Sequence, residues 1–126
     1  MKRLNILVAE DDPKIRELYQ GIFTFAGWGH EYRFAADGQE AIELLERERF
    51  DLVITDRRMP RKSGEEVVRF AKSLDPAPKV LMAFGDIPEV VRAVAVAAGA
   101  DAYLNKPFTS DELEAAIERF CADCSG

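Results

Sequence analysis

Hydrophobic positions along the chain follow two alternating rhythms. Short runs rich in aliphatic and β-branched residues, LNILVA (4–9), EYRFA (31–35), DLVIT (51–55), KVLMA (79–83) and DAYLN (101–105), read as strands. Between them lie longer segments in which apolar residues recur every three to four positions, as on one face of a helix. The first, third and fourth runs are almost continuously apolar, the pattern of strands covered on both faces in a parallel sheet.

The longer segments carry start signals. Pro13 suits a first-turn position, and Ile15, Leu18, Tyr19 and Ile22 follow along one face. Asp37 with Glu40, Ser63 with Glu66 and Thr109 with Glu112 have capping-box spacing, in which the first side chain bonds a free first-turn amide. Pro88 marks a fourth start, and Leu113, Ala116, Ile117 and Phe120 share one face of the last segment. This alternation predicts an α/β fold, an open doubly wound (βα)5 sandwich, because crossovers between parallel strands are right-handed and cover both faces. No linker, repeat or low-complexity stretch interrupts it, so a single domain over residues 1–126 is expected, with no output domain.

Composition narrows the class. With 48% hydrophobic and 32% charged residues, a buried core under a solvated surface is expected. A net charge of −6 argues against nucleic acid or an anionic membrane as partner, since both reward clustered Lys and Arg. No apolar stretch approaches the roughly 20 residues of a membrane span, and the opening MKRLNILVAEDD meets acids too early for a signal peptide. A cytoplasmic location is the expectation. Cys121 and Cys124 form a C-x-x-C pair without a second pair or a nearby histidine, so Cys121 is expected to pack and Cys124 to be a free thiol.

Candidate chemistry sits at the strand ends. In open α/β sheets, ligands bind beyond the carboxyl ends of the strands. There the chain places Glu10, Asp11 and Asp12 after the first run, Asp56 after the third, Phe84-Gly85 after the fourth, and Lys106-Pro107 after the fifth. Crowded carboxylates repel one another unless a cation sits among them, and hard oxygen ligands suit Mg2+, with Mn2+ as an alternative ion. A lone ammonium is a point charge suited to a phosphoryl oxygen, and a carboxylate can itself be the nucleophile of an acyl phosphate. The residues alone therefore suggest a Mg2+-dependent acyl-phosphate site.

The segments ILVAEDDP, FDLVITDRRMP and GADAYLNKPFT, in this order and spacing, resemble the receiver domain of bacterial two-component response regulators over essentially the whole chain. The resemblance implies a flavodoxin-like sheet of order 2-1-3-4-5. It implies Asp56 as phosphoacceptor for a histidine kinase or histidine phosphotransfer protein. It further implies Mg2+ held by Glu10, Asp11, Asp56 and the Arg58 backbone carbonyl, with phosphoryl contacts from Lys106 and the Gly85 backbone. Tyr103 matches the strand-five aromatic that reorients on activation, and Asp12 reads as a helix N-cap. No enzymatic activity is expected beyond Mg2+-dependent self-phosphorylation and self-dephosphorylation.

Two departures bear on the switch. The family pattern has Ser or Thr where this chain has Phe84, whose ring offers no hydroxyl to a phosphoryl group. Phe84 either turns into the sheet–helix core or occupies the place Tyr103 would otherwise visit, leaving Tyr103 outward. Arg58 lies at the mouth, either solvated or paired with Asp86. The fourth helical segment is apolar on nearly every side, so it is either unusually buried or shows a patch. In this family helix 4, strand 5 and helix 5 commonly form the homodimer or downstream-partner surface. His30 is remote from the strand ends and is not expected to relay phosphoryl groups, and Trp28 reads as local packing.

The leading reading is a response-regulator receiver with an altered switch. The alternative is a phosphorylation-independent pseudo-receiver that serves as a protein-interaction module. A haloacid-dehalogenase-type phosphatase would want a second aspartate two residues after the nucleophile, where Arg58 stands, and flavin binding would want a hydroxyl-rich loop in place of EDDP.

Overall fold

Each apolar run pairs with another run far away in sequence, and the helices between them are forced onto the two faces of the resulting sheet. The computed structural model describes residues 3–26 and 29–125, with side chains to residue 120. The expectations for Trp28 and for the side chains of Cys121 and Cys124 lie outside the described residues. In chain order the elements are β1 (Asn5–Ala9), α1 (Pro13–Ala26), β2 (Glu31–Ala35), α2 (Gly38–Arg47), β3 (Leu52–Thr55), α3 (Gly64–Lys72), β4 (Lys79–Phe84), α4 (Pro88–Ala98), β5 (Ala102–Asn105) and α5 (Ser110–Ser125). The strands are parallel in the order β2-β1-β3-β4-β5. That is the predicted doubly wound α/β architecture. Among the described residues, no helix is long and apolar enough to cross a membrane.

Alternation along the strands divides the core in two. Leu7, Val53, Val80, Met82 and Phe84 face α2, α3 and α4. Ile6, Val8, Ile54, Leu81 and Ala83 face α1 and α5, where Leu113, Ile117 and Phe120 close the layer. On α1 the buried centre is Tyr19 and Phe23, and Leu18 is 65% exposed. The expected stripe thus turns by part of a helical step. The cause is aromatic packing: Phe23 meets Tyr32 at 4.9 Å between ring centroids, and Tyr19 meets Phe108 at 5.8 Å.

The capping boxes form. Asp37 accepts from the Glu40 amide, Ser63 from Glu66, and Thr109 exchanges both bonds with Glu112. Asp12 Oδ1 accepts from the Lys14 amide at 2.9 Å, capping α1. Helix α4 begins at Pro88 without a side-chain cap and ends at Gly99, whose φ of 92° is the left-handed conformation glycine adopts without Cβ strain.

Far from the strand carboxyl ends, the Leu4 amide donates to His30 Nδ1 at 2.8 Å. An accepting Nδ1 requires an unprotonated nitrogen. Burial, helped by Arg3, holds the His30 pKa below the usual histidine value, with Asp51 opposing. A base whose folded pKa is lowered contributes stability that is present above its unfolded pKa and lost as pH falls. Acidification through the ordinary histidine range is therefore expected to lower stability through this group. In urea titrations His30→Ala should flatten that part of the profile; an unchanged slope would show that the ring is not coupled to folding.

Candidate functional site

The carboxyl edge of the sheet gathers residues from four strands. Glu10, Asp11 and Asp56 bring one carboxylate oxygen each to within 4.8 Å of one another. Glu10 is 1% exposed, and its Oε2 accepts from the Asp12 amide at 3.2 Å. Its Oε1 forms an ion pair with Lys106 Nζ, which also stands 3.5 Å from Asp56 Oδ2. Burial raises the Glu10 pKa against the lowering pull of Lys106, and the neighbouring Asp56 raises it further. Three carboxylates facing one ammonium leave the pocket anionic, so a hard divalent cation fits this donor set. The Lys106–Pro107 peptide bond is cis.

Asp56 is held in one orientation. Its Oδ1 accepts from the Arg57 amide at 2.8 Å, which leaves Oδ2 toward Lys106. Its carbonyl accepts from the fully buried Thr55 hydroxyl at 2.9 Å. The loop that follows is anchored from both sides. The Gly64 amide donates to the Arg57 carbonyl at 2.6 Å, and Arg61, at φ 72°, holds Asp37 through Nε and Nη2 at 3.0 and 3.1 Å. A left-handed Arg is strained, and the two-pronged contact offsets that strain.

Asp56, Arg57, Arg58, Phe84, Gly85 and Asp86 surround an open cavity of about 430 Å3. Phe84 is buried among Met82, Val91 and Ala95, in the core beneath α4. Tyr103 is not part of this cluster. It is 40% exposed and lines a groove with Pro88, Arg92 and Val96 of α4. Gly85 is not demanded by crowding, because an added Cβ would meet Lys106 only at ordinary distances of 3.7 and 3.9 Å.

Two alternatives that the sequence left open are narrowed here. Among the described residues no ion pair joins Arg58 to Asp86: Arg58 is exposed, and Asp86 Oδ1 accepts from the Ile87 amide at 2.8 Å, satisfied by its own turn. Nor is α4 buried all round. Val91 and Ala95 face the core, while Ile87 and Val96 are 60% and 65% exposed, which leaves the apolar patch.

Sequence reasoning missed Gly64, Thr55 and the Arg57 side chain. The signal for Gly64 was present: a glycine directly after the N-cap Ser63, where a better helix former would ordinarily stand. Arg57 left no such trace, because its partners Glu65 and Phe84 lie on other elements.

Comparison with known proteins agrees with this geometry. The family model of the response regulator receiver domain matches residues 6–118. The chain is 41% identical over 112 residues to the response regulator MprA of Mycolicibacterium vanbaalenii, covering 87% of this chain and 47% of that protein. It thus spans about half the length of this curated relative. Among solved structures, the chemotaxis response regulator CheY4 of Vibrio cholerae superposes with a TM-score of 0.84 at 28% identity, covering 94% of this chain and 99% of that one. The receiver domain of sensor histidine kinase PA1611 from Pseudomonas aeruginosa, with a magnesium ion coordinated in its active-site cleft, superposes with a TM-score of 0.83 at 25% identity, over 94% of this chain and 98% of that one. The chain belongs to the response regulator receiver domain family, a signalling domain of two-component systems.

Proposed function

We propose that this receiver accepts a phosphoryl group on Asp56 from the phosphohistidine of a histidine kinase or phosphotransfer protein, and passes the signal on through protein contacts with an altered switch. The observation that carries this is the orientation of Asp56, with Oδ1 tied to the Arg57 amide and Oδ2 facing Lys106 beside two further carboxylates. Oδ2 attacks phosphorus, an O–P bond forms as the donor's N–P bond breaks, and the departing imidazole takes its electron pair and a proton from solvent. Lys106 is placed to stabilise charge on the phosphoryl oxygens. Glu10, Asp11, Asp56 and the Arg58 backbone carbonyl would hold Mg2+, whose chemistry is to neutralise phosphoryl charge and align the attacking and leaving groups.

Phe84 and Tyr103 would carry the altered read-out. In the β4–β5 register Met82 pairs with Tyr103 and Phe84 with Asn105, so the Phe84 and Tyr103 side chains share one face of the sheet. A buried Phe84 on that face keeps Tyr103 outward, and the exposed apolar face of α4, with β5 and α5, is the surface offered to a downstream partner or second copy. The pseudo-receiver reading draws on the same buried ring, which offers no donor at the site.

Intact mass after incubation with acetyl phosphate, with and without Mg2+, separates the two readings: a Mg2+-dependent phosphoryl adduct supports the receiver, and its absence the pseudo-receiver. Thermal unfolding checks the metal. Mg2+ at about ten times its Kd should stabilise the fold by about 1.4 kcal/mol by mass action. Asp11→Asn should abolish that increment, and an increment kept in the variant would remove Asp11 from the metal site.

A further inference from the structure

We propose that the Arg57 guanidinium is a phosphoryl-binding group that Glu65 holds in reserve, an inference that rests on the reading of Asp56 as phosphoacceptor. Arg57 Nε donates to Glu65 Oε2 at 3.1 Å, and its guanidinium carbon lies 5.6 Å from the centroid of the Phe84 ring. This uses one of the five donors of the group. Among the described residues Nη1 and Nη2 make no hydrogen bond, although Arg57 opens onto the same cavity as Asp56.

The rest of that cavity is mixed in charge. On its β4 side Phe84 has no donor and Asp86 carries the wrong charge, which leaves the Gly85 backbone and two guanidinium groups, the exposed Arg58 and the partly buried Arg57. A phosphoryl group on Asp56 would bring up to about two negative charges into this space. The planar guanidinium fork matches phosphate oxygens better than a single carboxylate contact, and the pair it would leave is partly solvated, with side chains 26% and 27% exposed. Arg57 therefore exchanges Glu65 for the phosphoryl oxygens when Asp56 is modified. Its departure changes the cover on Phe84, which shares a core cluster with Val91 and Ala95 of α4, so the modification reaches α4 without a hydroxyl at position 84.

The test is calorimetric titration of beryllofluoride, an acyl-phosphate mimic, at saturating Mg2+, on wild type, Arg57→Gln, Glu65→Gln and the double variant. Arg57→Gln is expected to weaken binding about tenfold, the scale of one charge-assisted hydrogen bond. Glu65→Gln, which removes the charge that holds the guanidinium and leaves only a neutral acceptor, should tighten it about threefold. The double variant should match Arg57→Gln, because Glu65 acts only through Arg57. Arg57→Gln within twofold of wild type, or an undiminished Glu65→Gln effect in the Arg57→Gln background, would overturn the proposal. If circular dichroism finds Arg57→Gln unfolded, Arg57→Lys decides: weaker binding upholds the role of the fork, and equal binding overturns it. Intact mass of wild type after acetyl phosphate treatment keeps the two levels apart. No adduct and no beryllofluoride binding overturns the phosphoacceptor reading and this inference together; an adduct with unchanged Arg57→Gln affinity overturns this inference alone.

Discussion

In Asp56→Asn the phosphoryl adduct is expected to be lost completely, with the fold retained. Asparagine has the same shape, and its amide oxygen can still accept from the Arg57 amide, the bond that orients Asp56 at 2.8 Å. The group that replaces Oδ2 is an NH2, which has no lone pair available for attack on phosphorus. Lys106 remains paired with Glu10, so the substitution leaves no buried charge alone. Removing one of three crowded carboxylates also relieves repulsion. The thermal midpoint should therefore hold or rise by a few degrees, corresponding to about 1 kcal/mol or less. Intact mass and circular dichroism on the same sample check both halves, and an adduct of undiminished stoichiometry in the variant would move the acceptor elsewhere.

Gly64→Ala should damage the site without touching a charged group. A Cβ at this position would lie 2.0 Å from the Asp56 carbonyl oxygen, 2.8 Å from the Arg57 Cα and 2.9 Å from the Asp56 carbonyl carbon. All three are backbone atoms, so no side-chain rotation relieves the overlap, and α3 must shift away from the end of β3. That shift breaks the bond from the Gly64 amide to the Arg57 carbonyl, which closes the loop behind Asp56. The expected loss is about 3 kcal/mol or more, roughly 10 °C in midpoint for a domain of this size. Any folded fraction should take up phosphoryl more slowly, because the Arg57 amide no longer holds Asp56 Oδ1. Alanine is ordinarily the better helix residue, so a midpoint within two or three degrees of wild type, an energy of about 1 kcal/mol, would show that the close approach at Gly64 is not tight.

The fold was legible because its signals are local. Five apolar runs, three capping boxes and two first-turn prolines mark the element starts, and the crossover rule leaves few ways to arrange them. The site was legible for a related reason. Glu10, Asp11, Asp56 and Lys106 each follow directly on a strand, and parallel strands carry such residues to one edge regardless of how the helices pack. What the sequence by itself determined is therefore the architecture and the charged cluster, both of which depend on period and position along single elements.

The tertiary structure alone decided contacts between elements. Leu18 lies outside and Phe23 inside because aromatic partners on β2 turn α1. Asp86 is satisfied by its own turn, so Arg58 stays unpaired with it, while Arg57 meets Glu65 and Phe84 across the mouth. Helix α4 buries Val91 and leaves Val96 outside because it packs on the sheet along a single stripe, whatever covers its other side. These choices turn on fractions of a helical step and on which of two neighbouring arginines reaches a carboxylate. Hydrophobic periodicity does not encode them, because the competing arrangements share the same local pattern and differ only in the partners that the folded chain brings near.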